Sequence, residues 1–132
     1  MKILLAILLS AMAWAQTPVS TKTAEHYTWG GCCDGWYLVK NDKLNVIQER
    51  MPPGTSETLH RHHKAQQFFF VLKGEATVEV NGKAVKLGPG EGLLVPPGAA
   101  HRMRNTSGEP LEFTVTSEPP SHDDREEIPQ PK

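Results

Sequence analysis

The chain has 132 residues, enough for one ordinary domain and too few for two. Its 14 Lys and Arg are balanced by 15 Asp and Glu, a formal charge of −1, which argues against nucleic acid or an anionic membrane as a partner. Two adjacent cysteines cannot build a disulfide framework, while 11 Gly, 11 Pro and 38% hydrophobic residues suit a turn-rich globular domain.

Met1-Lys2 is a positive start, residues 3–13 are apolar, and Ala13-Trp14-Ala15 is a small-x-small cleavage site. Residues 1–15 therefore read as a signal peptide cleaved after Ala15, and its shortness looks bacterial. The apolar run falls short of the roughly 20 residues that a membrane span needs. The mature protein is expected in the periplasm or secreted. Residues 16–26 form a polar N-terminal arm. From Tyr27 short strand-like runs alternate with turn signals. Trp36–Val39, Leu44–Met51, Thr55–His62 and Phe68–Leu72 are the first four strand candidates after the arm. The Gly30-Gly31-Cys32-Cys33-Asp34-Gly35 run reads as a structural turn without chemistry. Ala76, Val78 and Val80 alternate with polar residues, and Asn81-Gly82 forms a type I′ hairpin to the return strand Lys83–Leu87. Leu93–Val95, His101–Asn105 and the alternating Leu111, Phe113, Val115 complete the series. Residues 27–117 thus make an all-β domain, a sandwich or barrel. Residues 118–132, rich in Pro and charge, are expected to be an extended tail, with His122, Asp123 and Asp124 solvated.

His60 and His62 lie two apart in a strand, so both imidazoles face the same way. Gln67 opens the next strand, and His101 follows a Pro-Gly turn. Two histidines at this spacing, joined by a third from another strand, can ligate a divalent metal. Gln66, beside Gln67, and His63 and Arg61, beside His62, are expected to face away, as are Arg102 and Arg104. Met103 shares the face of His101 and is expected to line the pocket.

The run from Gly54 through His60, His62 and Gln67 to Gly74 resembles the first cupin motif: Gly, five residues, His-x-His, a short gap, usually Glu, six residues, Gly. The run Gly90, Pro96, Gly98, His101, Asn105 resembles the second. The resemblance covers about Val46 to Val115. It implies a single-domain cupin, a double-stranded β-helix with a jelly-roll-like barrel. It also implies one metal in the lumen, held by His60, His62, Gln67 and His101. Nickel, zinc, manganese, iron and copper all remain open. Gln67 departs from the usual Glu. A neutral amide leaves the charge of the metal uncompensated and makes a stronger Lewis acid. The same His-His-Gln-His set looks like the cupin that opens unsaturated uronic-acid rings in pectin breakdown.

Three functions follow as expectations. The first is Lewis-acid chemistry (isomerisation, ring opening or lyase reactions) on a small sugar-derived or similar organic acid. The second is oxygen chemistry at iron or copper, as in dioxygenase-type cupins. The third is non-catalytic retention of a small ligand or of the metal. Tyr37, Gln48, Glu49 and Arg50 on the second strand are candidates for an acid or base. Val46 and Ile47 are both apolar, so the parity of that strand is open and none of the four is assigned a role. On the Gln67 strand, Phe69 and Val71 would line the barrel. Phe68, Phe70 and Leu72 would then need a cover, either the segment carrying Trp29 and Trp36 or a second copy of the chain. A homodimer is the expected assembly, since small cupins commonly dimerise.

Overall fold

The computed structural model describes residues 16–132, and the signal peptide read in residues 1–15 lies outside the described residues. Eleven strands run in chain order: β1 (Glu25–Trp29), β2 (Cys33–Lys40), β3 (Asn45–Met51), β4 (His60–His62), β5 (Gln66–Lys73), β6 (Ala76–Val80), β7 (Lys83–Leu87), β8 (Gly92–Val95), β9 (His101–Arg104), β10 (Leu111–Glu118) and β11 (Arg125–Glu127). They form two antiparallel sheets, ordered β1-β2-β3-β10-β5-β8 and β11-β4-β9-β6-β7. A single 3-10 turn, His122–Asp124, is the helical content of the described residues. No helix among them is long and apolar enough to cross a membrane.

Period-two patterning sets the layers. Along β10, Leu111, Phe113, Val115 and Ser117 are buried and alternate with half-buried polar residues. Along β5, Gln67, Phe69 and Val71 point inward. Phe113, Met51, Met103, Leu111, Val71 and Val78 close the core, and each large apolar side chain contributes about 1.5–3 kcal/mol on burial. Asn81 and Gly82 take φ of 50° and 80°, the pair of positive values a type I′ hairpin requires. Gly74 has φ of 84°, and a Cβ there would stand 2.5 Å from the Pro110 carbonyl oxygen. The turn between β5 and β6 therefore demands glycine. The Gly30-Gly31 turn is likewise built on two positive φ angles, and both cysteines beyond it carry free thiols, Cys32 exposed and Cys33 buried.

Three expectations change. The strand expected over Thr55–His62 is regular only at His60–His62. Before it the chain makes an isolated bridge from Ser56 to Arg104, and the Thr58 carbonyl turns to the His60 ring. The N-terminal segment does not cover the outer face of β5, because β1 and β2 extend the opposite side of the sheet beyond β3 and β10. Phe68 and Leu72 stay 43% exposed, and Leu94 beside them 54%. Finally, the stretch after Ser117 is not a free extended tail. It folds back so that β11 pairs with β4, Arg125 opposite His62 and Glu127 opposite His60. The Asp124 carboxylate drives this return by accepting the backbone N–H groups of His63, Lys64 and Ala65 at 3.0, 2.7 and 2.8 Å. The 3-10 turn thereby docks on the loop between β4 and β5 and supplies β4 with an edge partner.

Candidate metal centre

His60 and His62 project from β4 into the space between the sheets, and His101 opens β9 directly opposite His60 in the ladder. The three rings are buried, with exposures of 2%, 4% and 1%. One nitrogen from each lies within 4.8 Å of the other two. Burial pushes the His60 imidazole down to about 3 and the His62 imidazole down to about 4, and it lowers His101 as well. All three rings are neutral at physiological pH and have a lone pair to give.

The tautomers follow from the partners. His60 Nδ1 donates to the Thr58 carbonyl at 2.7 Å, and His101 Nδ1 donates to the Ala99 carbonyl at 2.9 Å. Each neutral ring then presents a bare Nε2. Gln67 is held from behind: its Nε2 donates to the Ser117 hydroxyl at 3.0 Å and lies 3.4 Å from the Ser121 hydroxyl. That orientation turns Oε1 toward His101 Nε2, 2.8 Å away. The Gln67 amide thereby meets the ring nitrogen of His101 that is not engaged with the Ala99 carbonyl. Ligands at right angles on bonds of about 2.1 Å lie roughly 3 Å apart, so the observed spacing fits a pair of metal ligands. His62 Nδ1 is buried with no hydrogen-bond partner among the described residues, an orphan that a cation would satisfy. The donor set, three neutral imidazoles and an amide oxygen, suits a divalent transition metal.

A cavity of about 290 Å³ opens beside the histidines and includes Tyr37, Glu49 and Phe69 in its wall. Among the four second-strand candidates, pairing of β3 with β2 and β10 turns Ile47 and Glu49 inward and leaves Gln48 and Arg50 on the other face. Tyr37 reaches the cavity beside a register shift in β2 and packs edge-on against His122. Glu49 is 7% exposed; its Oε1 accepts the Tyr27 hydroxyl at 3.0 Å, and its Oε2 has no partner among the described residues. Burial, then the nearby Glu57 charge, pushes Glu49 up to about 8. Burial pushes Glu57 up to about 7, against the Met103 N–H that its carboxylate accepts at 3.2 Å. Burial also raises the Tyr27 hydroxyl far above its ordinary range.

Arg61 and His63 face outward onto Glu126, and Arg102 and Arg104 face outward onto Glu79. Met103 is buried in the core. Sequence reading missed Tyr27, Glu57, Ser121 and Arg125. Period-two parity would have turned Glu57 away from the face of His60, and the irregular backbone between Ser56 and Leu59 turns it inward. Ser121 and Arg125 lay in the stretch read as a solvated tail.

The family model for the cupin domain matches residues 47–117. An uncharacterised protein of Aquifex aeolicus is 33% identical over 88 residues, 67% of this chain and 71% of that protein. The oxalate-binding protein of Thermotoga maritima is 34% identical over 64 residues, 48% of this chain, and the chain spans about half, 53%, of that relative. An RmlC-like cupin from Shewanella frigidimarina superposes with a TM-score of 0.72 at 23% identity, covering 83% of this chain and 96% of that one, which supports the fold. From the two-sheet barrel, the buried histidine triad and the matched family model together, the chain belongs to the cupin family.

Proposed function

We propose that the protein holds one divalent transition metal on His60, His62, His101 and Gln67 and acts as a metal-dependent isomerase or lyase on a small organic acid. The observation that carries this reading is the convergence of three buried, neutral imidazoles within 4.8 Å, with the Gln67 amide 2.8 Å from His101 Nε2. The bound metal would supply Lewis-acid polarisation of a carbonyl, hydroxyl or carboxylate oxygen. Four neutral ligands leave its charge undiminished, which favours this chemistry over stabilising a higher oxidation state. The oxalate-binding relative supports a small acid as the ligand class.

The chain's own groups complete the site. Tyr27 donates to Glu49 Oε1, so Glu49 holds its proton at Oε2, the oxygen with no partner. A carboxyl that titrates near neutrality is suited to give or take a proton. Phe69 and Val115 make the inner wall apolar. Ser117 and Ser121 fix the Gln67 amide, so its oxygen keeps one direction through a reaction cycle.

The proposal extends to setting and assembly. The leader read in residues 1–15 supports export to the periplasm or medium. The exposed Phe68, Leu72 and Leu94 support a homodimer through that face.

The test is metal content followed by turnover. Purified protein is loaded separately with manganese, iron, nickel, copper or zinc, dialysed, and counted for metal per chain by mass spectrometry. Small keto, hydroxy and unsaturated acids are then followed by NMR with and without oxygen. One metal per chain and oxygen-independent conversion is the expected result. Gln67→Glu should retain the metal and slow the conversion. Failure to load any metal would remove the reading, and oxygen-dependent turnover would replace it with oxygenase chemistry.

A further inference from the structure

Beside the metal-site cavity lies a second one of about 370 Å³, and the wall between them is shared. Tyr27, Glu49, Glu57 and Arg125 line both. Three of the four are acids or a phenol. Arg125 is the permanent cation in this wall, and it comes from β11, the strand that returns after the barrel is complete.

Arg125 stands directly opposite His62 in the β4–β11 ladder. Directly paired residues in an antiparallel ladder project from the same face, so the arginine shares the face of His62 while staying exposed to solvent. The backbone on either side is pinned, by the Asp124 carboxylate on three N–H groups and by the Ile128 N–H on the Leu59 carbonyl at 2.9 Å. The side chain itself is hardly engaged. Its one ion-pair contact is Nε to Glu127 at 3.9 Å, beyond hydrogen-bond reach, and among the described residues no protein acceptor takes a hydrogen bond from the guanidinium. A guanidinium presents five donors in a planar fork that matches a carboxylate. By contrast Arg61, Arg102 and Arg104 already have close carboxylate partners on the outer faces.

We propose that Arg125 is the specificity-determining anchor of the site, gripping a carboxylate of a ligand whose other end lies at the three histidines. This rests on the histidine cluster being the second anchor, the metal centre of the proposed function. The ligand class is then a bifunctional acid, with one carboxylate for the guanidinium and a second oxygen function for the metal centre. Glu49 and Tyr27 line the same cavity.

Calorimetry with malonate, succinate and glutarate, each against its neutral diamide, tests the anchor on wild type, Arg125→Ala and Arg125→Lys. Each protein is titrated metal-free and zinc-loaded, and its metal content is counted. The expected result is a carboxylate preference that falls about 10- to 100-fold in Arg125→Ala, with partial rescue by Lys. Metal content and diamide binding should not change. Equal dicarboxylate affinity in wild type and Arg125→Ala would overturn the anchor, as would a wild type that does not distinguish acid from diamide. If the protein takes up no metal yet shows an Arg125-dependent preference for acids, the anchor stands and the metal reading falls. Normal metal uptake without that preference removes the anchor and leaves the metal centre standing.

Discussion

Glu49→Gln should change how stability depends on pH in the metal-free protein. The folded protein holds the Glu49 carboxyl at about 8 against an ordinary 4.5, chiefly because burial opposes its charge. Between these values the folded chain keeps a proton that the unfolded chain has released. Unfolding is therefore favoured as pH rises. The contribution is intact below about 4.5, erodes by about 1.4 kcal/mol per pH unit, and is gone once pH passes about 8. The total is on the order of 3–5 kcal/mol, an upper figure because ionised Glu49 can draw in water. Gln keeps the shape and can still accept the Tyr27 hydroxyl, but it cannot ionise. Urea denaturation at pH 5.5, 7.0 and 8.5 should show wild type losing stability up this series more steeply than Glu49→Gln, and the two should cross so that the variant is the more stable at pH 8.5. Glu57, pushed up to about 7, leaves a residual slope of the same sign in the variant. Parallel pH profiles for the two proteins would refute the assignment of a buried, protonated carboxyl at this position.

Other perturbations separate the remaining parts. His101→Ala should abolish most metal binding by mass spectrometry while the far-ultraviolet circular dichroism of the barrel is retained; full metal content would place the centre elsewhere. Asp124→Ala deprives the N–H groups of His63, Lys64 and Ala65 of their acceptor, so limited trypsin treatment should cut after Arg125 much faster than in wild type. Unchanged cleavage would mean that the clasp does not hold the strand. Phe68→Asp should convert a dimer to a monomer by light scattering at micromolar concentration, and a monomeric wild type would remove the proposed assembly.

The fold was legible because its strands carry their own punctuation. Leu111, Phe113 and Val115 alternate with polar neighbours, and Asn81-Gly82 permits one hairpin geometry. The histidines were legible because His-x-His in an extended segment leaves both rings on one face. The orientation of β3 was not, because Val46 and Ile47 are both apolar. Pairing with β10 and β2 resolves it by burying Ile47 and Glu49. Glu57 was hidden by a local departure from strand geometry that no alternation pattern encodes. The final strand was hidden for a different reason. Arg125-Glu126-Glu127 has no apolar member, and its fold-back depends on one carboxylate meeting three backbone N–H groups some sixty residues earlier in sequence. Long-range polar contacts of that kind leave no periodic trace.

The division of labour between the barrel and its last strand has an evolutionary reading. Arg125, Glu126 and Glu127 add nothing to the apolar interior, which Met51, Phe113 and their neighbours complete without them. Substitutions along this strand therefore escape the apolar packing constraint that governs the barrel interior. Ligand preference can drift or be re-engineered through the side chain at Arg125 without disturbing the folding core, so long as the backbone ladder to the histidine strand is kept.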